Sequence, residues 1–323
     1  MKTRLTLFGG AVALLHVAGW GLFVYYSRSY PALAGLGTLA YTFGLRHAFD
    51  ADHIAAIDNT TRKLLEEEQK PLGVGFFFSL GHSSVVLALS TAVALGAAAA
   101  KADIPAFAHW GAYVGAGVSG TFLWLIGILN LLVLLDVWRI FRATRAGTLD
   151  EERLEQRLLD RGLMSRLFLG RLAGRIRKSW HMYPLGVLFG LGFDTATEIA
   201  LLGISAGVAT KHVPLAALIS LPVLFAAGMS LLDTADGAFM THAYGWAFSN
   251  PLRKVYYNLT VTTLSVTVAL GVGTVELLQA VGVGAVDVNA LGYLLVALFA
   301  ATWLVAAVAW KLRWEPRTLP RTR

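Results

Sequence analysis

The sequence predicts an all-α polytopic membrane protein with eight transmembrane helices and both termini in the cytoplasm. Three observations carry this expectation. Of 323 residues, 56% are hydrophobic and only 15% are charged, where a soluble domain carries about a quarter charged residues. Apolar runs long enough to cross a bilayer, roughly 20 residues, recur along the chain. Lys and Arg gather in alternate connections between those runs, the pattern of a multi-pass protein of the cell (cytoplasmic) membrane.

The runs fall at about 7–26, 32–57, 72–100, 111–138, 183–208, 213–240, 257–282 and 290–311. They are read as helices because backbone in lipid must satisfy its own hydrogen bonds, and they are too long for barrel strands. The opening MKTRLTLFGG lacks a convincing small-residue cleavage site, so the first run is read as a span and not a removable signal. The sixth is the span most open to interruption, because DTADG lies near its end. One set of connections carries Lys2, Arg4, Arg62, Lys63, Lys70, Arg253, Lys254, the run from Arg139 to Lys178, and the tail with Lys311, Arg313, Arg317, Arg321 and Arg323. The other set carries only Arg28, Lys101 and Lys211, which puts both termini inside. The expected layout is helices 1–4 over residues 1–138, a basic cytoplasmic loop over 139–182, helices 5–8 over 183–312 and a tail over 313–323.

In the loop, TLDE (Thr148 to Glu151) fits a capping box. Leu154, Leu158, Leu159 and Leu163 follow at helical spacing among arginines. A basic amphipathic helix against anionic lipid headgroups is the favoured reading, a docking site for a cytosolic partner the other. The net charge of +7 follows from the same bias and gives no reason to expect nucleic acid as a partner. No GxxxxGK[ST] is present, so the chain does not itself use ATP, and no ATPase subunit is implied. Gly111/Gly115, Gly186/Gly190 and Gly203/Gly207 have the small-xxx-small spacing of closely packed helices. There is no cysteine, so any metal must be held by nitrogen and oxygen.

The second run contains RHAFDADHI, residues 46–54. An ionised side chain near the bilayer centre costs about 3 kcal/mol on insertion scales. Arg46, His47, Asp50, Asp52 and His53 together therefore call for something to bind. On a regular helix, at about 100° per residue, His47, Asp50 and His53 share one face and Asp52 points away. Local unwinding would bring Asp52 in. Neutral imidazole with carboxylate suits Zn, Ni and Co. The competing reading is a buried polar network with Asp50 paired to Arg46, whose expected role is counter-charge to a carboxylate.

Three other spans carry polar clusters. In FFFSLGHSSVV (76–86), His82 sits among Ser79, Ser83 and Ser84, and a structural hydrogen-bonding role competes with a ligand role. In LGFDTATEIALL (191–202), Asp194 and Glu198 lie one turn apart and repel unless a proton or cation lies between them. In GMSLLDTADG (228–237), Asp233 and Asp236 lie three apart near the cytoplasmic end. His16 is a weaker addition. Acids and histidines on four helices at comparable depth describe a cation pathway.

These four stretches, in this order and in these spans, resemble the signature motifs of the nickel/cobalt transporter family (NiCoT), and the resemblance covers essentially the whole chain. It implies a high-affinity, low-capacity permease importing Ni²⁺ and Co²⁺, with the metal as transported substrate and no cofactor. The family's His-x4-Asp-His element maps onto His47, Asp52 and His53 as the first metal-binding site. Because that includes Asp52, the resemblance favours a helix distorted near Ala51. Asp50, His82, Asp194, Glu198, Asp233 and Asp236 match other signature positions. His16 with Phe49 is the combination that accompanies cobalt as well as nickel transport.

The expected path runs from capture at His47, Asp52 and His53, through His82, Asp194 and Glu198, to an exit lined by Asp233 and Asp236. Inward movement of a divalent ion gains about 2 × 2.3 kcal/mol per 100 mV, enough for membrane potential to drive uptake. A Zn²⁺ or Fe²⁺ permease is the nearest alternative. A metal-dependent intramembrane enzyme is disfavoured by the absence of HExxH, and a haem protein by acids between the histidines. The sequence carries no signal for oligomeric state.

Overall fold

The computed structural model describes residues 2–95, 116–128, 176–191, 213–248 and 251–283, with single positions at 130–142, 198–208 and 297–308; for 247–248 and 251–262 only the backbone is described. Every regular element among them is helical. The helices are α1 (Lys2–Ser27), α2 (Leu36–His47), α3 (Ala51–Glu66), α4 (Val74–Leu95), α5 (Ala116–Leu132), α6 (Met182–Gly190), α7 (Leu215–Phe248) and α8 (Pro251–Ala280). Four of them contain stretches long and apolar enough to cross a membrane: Thr3–Ser27, Val74–Leu95, Leu215–Trp246 and Thr263–Ala280. These labels number helices and not spans, because the run expected as one second span forms two helices, α2 and α3. Most of the 139–182 loop, Asp194 and the tail lie outside the described residues.

The interruption between α2 and α3 has a local cause. The amides of Phe49 and Asp50 bond back to the carbonyls of Arg46 and His47, which tightens the end of α2. Asp50 then adopts an extended backbone (ψ 142°), and its carbonyl takes the Ile54 amide to start α3. Asp52 falls in the first turn of α3, where an acid complements the helix dipole. Its Oδ1 accepts the backbone N–H of His53 at 2.9 Å.

α3 is buried on every side from Ala51 to Arg62, although it carries Asp52, His53, Asp58, Asn59, Thr60, Thr61 and Arg62. Arg62, counted from sequence among the loop charges, is 1% exposed and part of this interior. The helix continues beyond the expected end of the span because its polar face meets other polar side chains instead of lipid.

α7 is the other axis of the bundle. It packs against α1, α2, α3 and α4 and supplies Leu218, Leu221, Leu224, Phe225 and Met229 to the largest apolar cluster. The sequence left DTADG as a place where this helix could break. α7 instead runs unbroken through it to Phe248, because Asp233 is met by His53 and Gly237 packs on the backbone of Gly75.

Glycines set the helix spacing. A Cβ at Gly44 would overlap the carbonyl of Phe225, one at Gly75 that of Asp233, and one at Gly81 that of Tyr183. Gly186 stands the same way against Phe78, so α4 and α6 meet glycine on carbonyl from both sides. Such approach places whole backbones, not side-chain tips, in contact, and dispersion between them is the main attraction available in lipid.

Substituting Gly75 or Gly186 by Leu is expected to destabilise the protein by about 1–3 kcal/mol or more through overpacking. Gly21→Ala, on α1 with nothing within 4 Å of the new Cβ, should be neutral or slightly stabilising. Thermal unfolding in detergent compares the three.

Candidate metal centre

The break between α2 and α3, the middle of α4 and the middle of α7 meet in one buried layer. His47 ends α2, His53 lies in the first turns of α3, and His82 comes from α4. Their rings form a near-regular triangle, with centroids 4.6 Å (His47–His53), 4.7 Å (His47–His82) and 4.9 Å (His53–His82) apart. One ring nitrogen from each lies within 4.8 Å of the other two, and all three residues are buried. Neighbouring donors around an ion at about 2.1 Å stand about 3.0–3.4 Å apart. The Nε2 atoms of His47 and His82 are 3.1 Å apart.

Carboxylates approach these rings from two directions. Glu198 Oε1 is 2.7 Å from His82 Nε2 and 4.0 Å from His47 Nε2, on the side where the nitrogens converge. On the other side, His53 Nδ1 meets Asp233 Oδ2 at 3.3 Å, and His47 Nδ1 lies 3.1 Å from Asp50 Oδ2. At His53 the hydrogen bond to Asp233 keeps the proton on Nδ1 and leaves Nε2 as a lone pair, the arrangement that orients metal-ligating histidines. His53 Nε2 and Asp233 Oδ1 are buried with no hydrogen-bond partner among the described residues. Such a nitrogen has a lone pair that a Lewis acid could take, and each buried polar atom left without a partner calls for an explanation.

The other residues singled out from sequence are spread around this layer. Asp52 is buried and tied to the start of α3. Asp236 lies one turn beyond Asp233, with Oδ2 buried and without a hydrogen bond. His16 is half-buried on α1, its Nδ1 on the Val12 carbonyl (2.8 Å) and its Nε2 on Tyr41 Oη (3.2 Å), so it bridges α1 to α2. Phe49 is half-buried in the break. Arg46 is half-buried, and no described carboxylate forms an ion pair with it. The Arg46–Asp50 pair of the competing reading is replaced by His47–Asp50, because the break turns Asp50 back along the end of α2.

Sequence reasoning did not single out the polar layer that follows on α3. Asp58 accepts from Tyr244 Oη and from Ser265 Oγ, the latter at 2.5 Å. Asn59 receives the Asn130 amide at 2.5 Å and donates to the Ala55 carbonyl. Arg62 lies one turn beyond Asp58. An Asp and Arg four apart directly after a metal motif was the available signal.

Apolar spans converging on a buried, nitrogen-rich and cysteine-free donor set define the class: a polytopic membrane transporter for a divalent transition-metal ion. The comparisons then give the family. A family model described as high-affinity nickel-transport protein matches residues 33–309, and the chain belongs to that family. It is 51% identical to the nickel transporter NicT of Mycobacterium tuberculosis, over 97% of this chain and 91% of that protein. It is 49% identical to the nickel transporter NixA of Staphylococcus aureus, over 93% and 92%. It is 44% identical to the cobalt transport protein NhlF of Rhodococcus rhodochrous, over 94% and 91%. These relatives are named as transporters and not as enzymes. No solved structure matches the chain.

Proposed function

We propose that the chain is a secondary transporter that imports Ni²⁺ and Co²⁺ across the cell membrane. In this reading the cation is held as substrate by Nε2 of His47, His53 and His82 with Glu198 opposite, while Asp50 and Asp233 orient the rings. The observation that carries it is the convergence of His47 Nε2 and His82 Nε2, 3.1 Å apart, on Glu198 in a buried layer. The relatives named for nickel and for cobalt support the choice of ion. His16 and Phe49 favour acceptance of both. The reading keeps eight spans with both termini inside, in which α2 and α3 make the second span and the 139–182 loop faces the cytoplasm.

The steps follow from the donors. A cation that reaches the layer exchanges water for imidazole and carboxylate. Its arrival displaces protons from these donors, so binding releases a proton or passes it to a neighbouring acid. Asp52 serves by fixing the start of α3 and hence His53. Asp233 and Asp236 continue the acidic path away from the histidines, and Asp194 is kept from the sequence as a further member. Raw affinity rises from Co²⁺ through Ni²⁺ to Cu²⁺ for such donors, so selectivity rests on cavity size and geometry.

The test is uptake of radiolabelled Ni²⁺ and Co²⁺ by cells expressing the chain, with variants matched for membrane abundance. His47→Ala, His82→Ala and Asp52→Ala are expected to abolish it, and Asp233→Asn to lower affinity about 10–100-fold as loss of an orienting partner does. Uptake of Zn²⁺ or Fe²⁺ but of neither Ni²⁺ nor Co²⁺ would overturn the choice of substrate. Metal binding to the purified protein, measured by equilibrium dialysis, should weaken as the pH is lowered, because protons compete with the cation for the same nitrogen and carboxylate donors.

A further inference from the structure

Arg62 is the largest side chain wholly buried among the described residues, at 1% exposed. Among the described residues, none hydrogen-bonds to its Nε, Nη1 or Nη2. No described carboxylate comes within ion-pair distance, not even Asp58, which stands one turn earlier on the same face and is occupied by Tyr244 and Ser265. A guanidinium is always charged and carries five donors, and an unpaired buried charge is among the most costly arrangements a protein can hold. Membrane proteins keep such groups where function uses them.

The surroundings indicate the use. Asp58 stands one turn before Arg62 on α3, and on α7 Asp233 meets His53 and lies one turn before Asp236, whose neighbour Gly237 packs on Gly75 and beside Ile57 of α3. A line of carboxylates therefore leads from the histidine triangle along α7 and α3 to within one helical turn of Arg62. When a divalent cation occupies the triangle, it offsets these acids. Once it leaves, the carrier must return across an apolar layer with the acids uncompensated. The spacing of Asp58 and Arg62 lets a rotamer change close the pair.

We propose that Arg62 is a tethered counter-cation: with the metal gone it swings onto Asp58 and the neighbouring acids, and so allows the empty carrier to reorient. This rests on the transport reading above. Arg62 is thus a positioning group for the return step and not a metal ligand. Tyr244 and Ser265 are the partners that Asp58 gives up when the pair closes.

The experiment uses the full chain in proteoliposomes. Net uptake of radiolabelled Ni²⁺ into metal-free vesicles needs the empty carrier to return. Exchange of external label for internal unlabelled Ni²⁺ does not. Arg62→Gln is expected to lower net uptake roughly tenfold or more, as an uncompensated buried carboxylate would, while exchange stays close to wild type. Arg62→Lys keeps the charge and should retain net uptake, and it serves if the Gln variant does not reach the membrane. Asp58→Asn with Arg62→Gln removes both charges and should recover part of the net uptake. Equal loss of exchange and net uptake in Arg62→Gln, loss of both in Arg62→Lys, or no loss in Arg62→Gln would overturn the proposal. Wild-type protein that neither takes up nor exchanges nickel would overturn the transport reading instead.

Discussion

The structure depends on one constraint: α3, a helix rich in charge, has no face left for lipid. Burying Asp52, His53, Asp58, Asn59 and Arg62 in hydrocarbon alone would cost far more than packing returns. Each helix around α3 therefore presents something polar to it, Asp233 and Tyr244 from α7, Ser265 from α8 and Asn130 from α5. The bundle is organised from the inside by partners for one segment, and its outer surfaces are what remains. The exposed Leu and Val side chains of α1 show the other side of this division.

Close glycine contacts convert that demand into distances. The carbonyl facing Gly75 belongs to Asp233, whose carboxylate orients His53. Gly190 lies against the backbone of His82. The residues that present donors and those that set helix spacing are thus chain neighbours. A ligand set accurate to a few tenths of an ångström needs support of this kind, since side-chain rotation alone would leave the nitrogens loosely placed.

Much of this was legible in the sequence, to different degrees. Helical character followed from the length of the apolar runs. His47 and His53 stood out because two imidazoles among acids have no other easy reading in lipid. A distortion near Ala51 was anticipated, and it falls at Ala48–Asp50. His82 was harder: its neighbours in sequence are serines, and only the packing of α4 against α3 and α7 puts it in the triangle. Glu198 read as half of a repelling pair, whereas its described partners are histidines on other helices. Arg62 was misplaced because a charge run after a span resembles a loop until burial is known. Local patterns name the polar residues, but helix adjacency decides which of them meet.

The burial of α3 also bears on how the chain is made. α2 and α3 are synthesised early, yet α7, which covers them and supplies Asp233, follows more than a hundred residues later. Until it arrives, the polar face of α3 has no protein partner on that side and cannot rest stably in lipid. The segment must be sheltered in the insertion machinery or held at the headgroup level, and it enters the bundle as α7 closes over it. A change that weakens α7 therefore harms biogenesis before it harms transport, and its first symptom is lost protein, not a slower carrier.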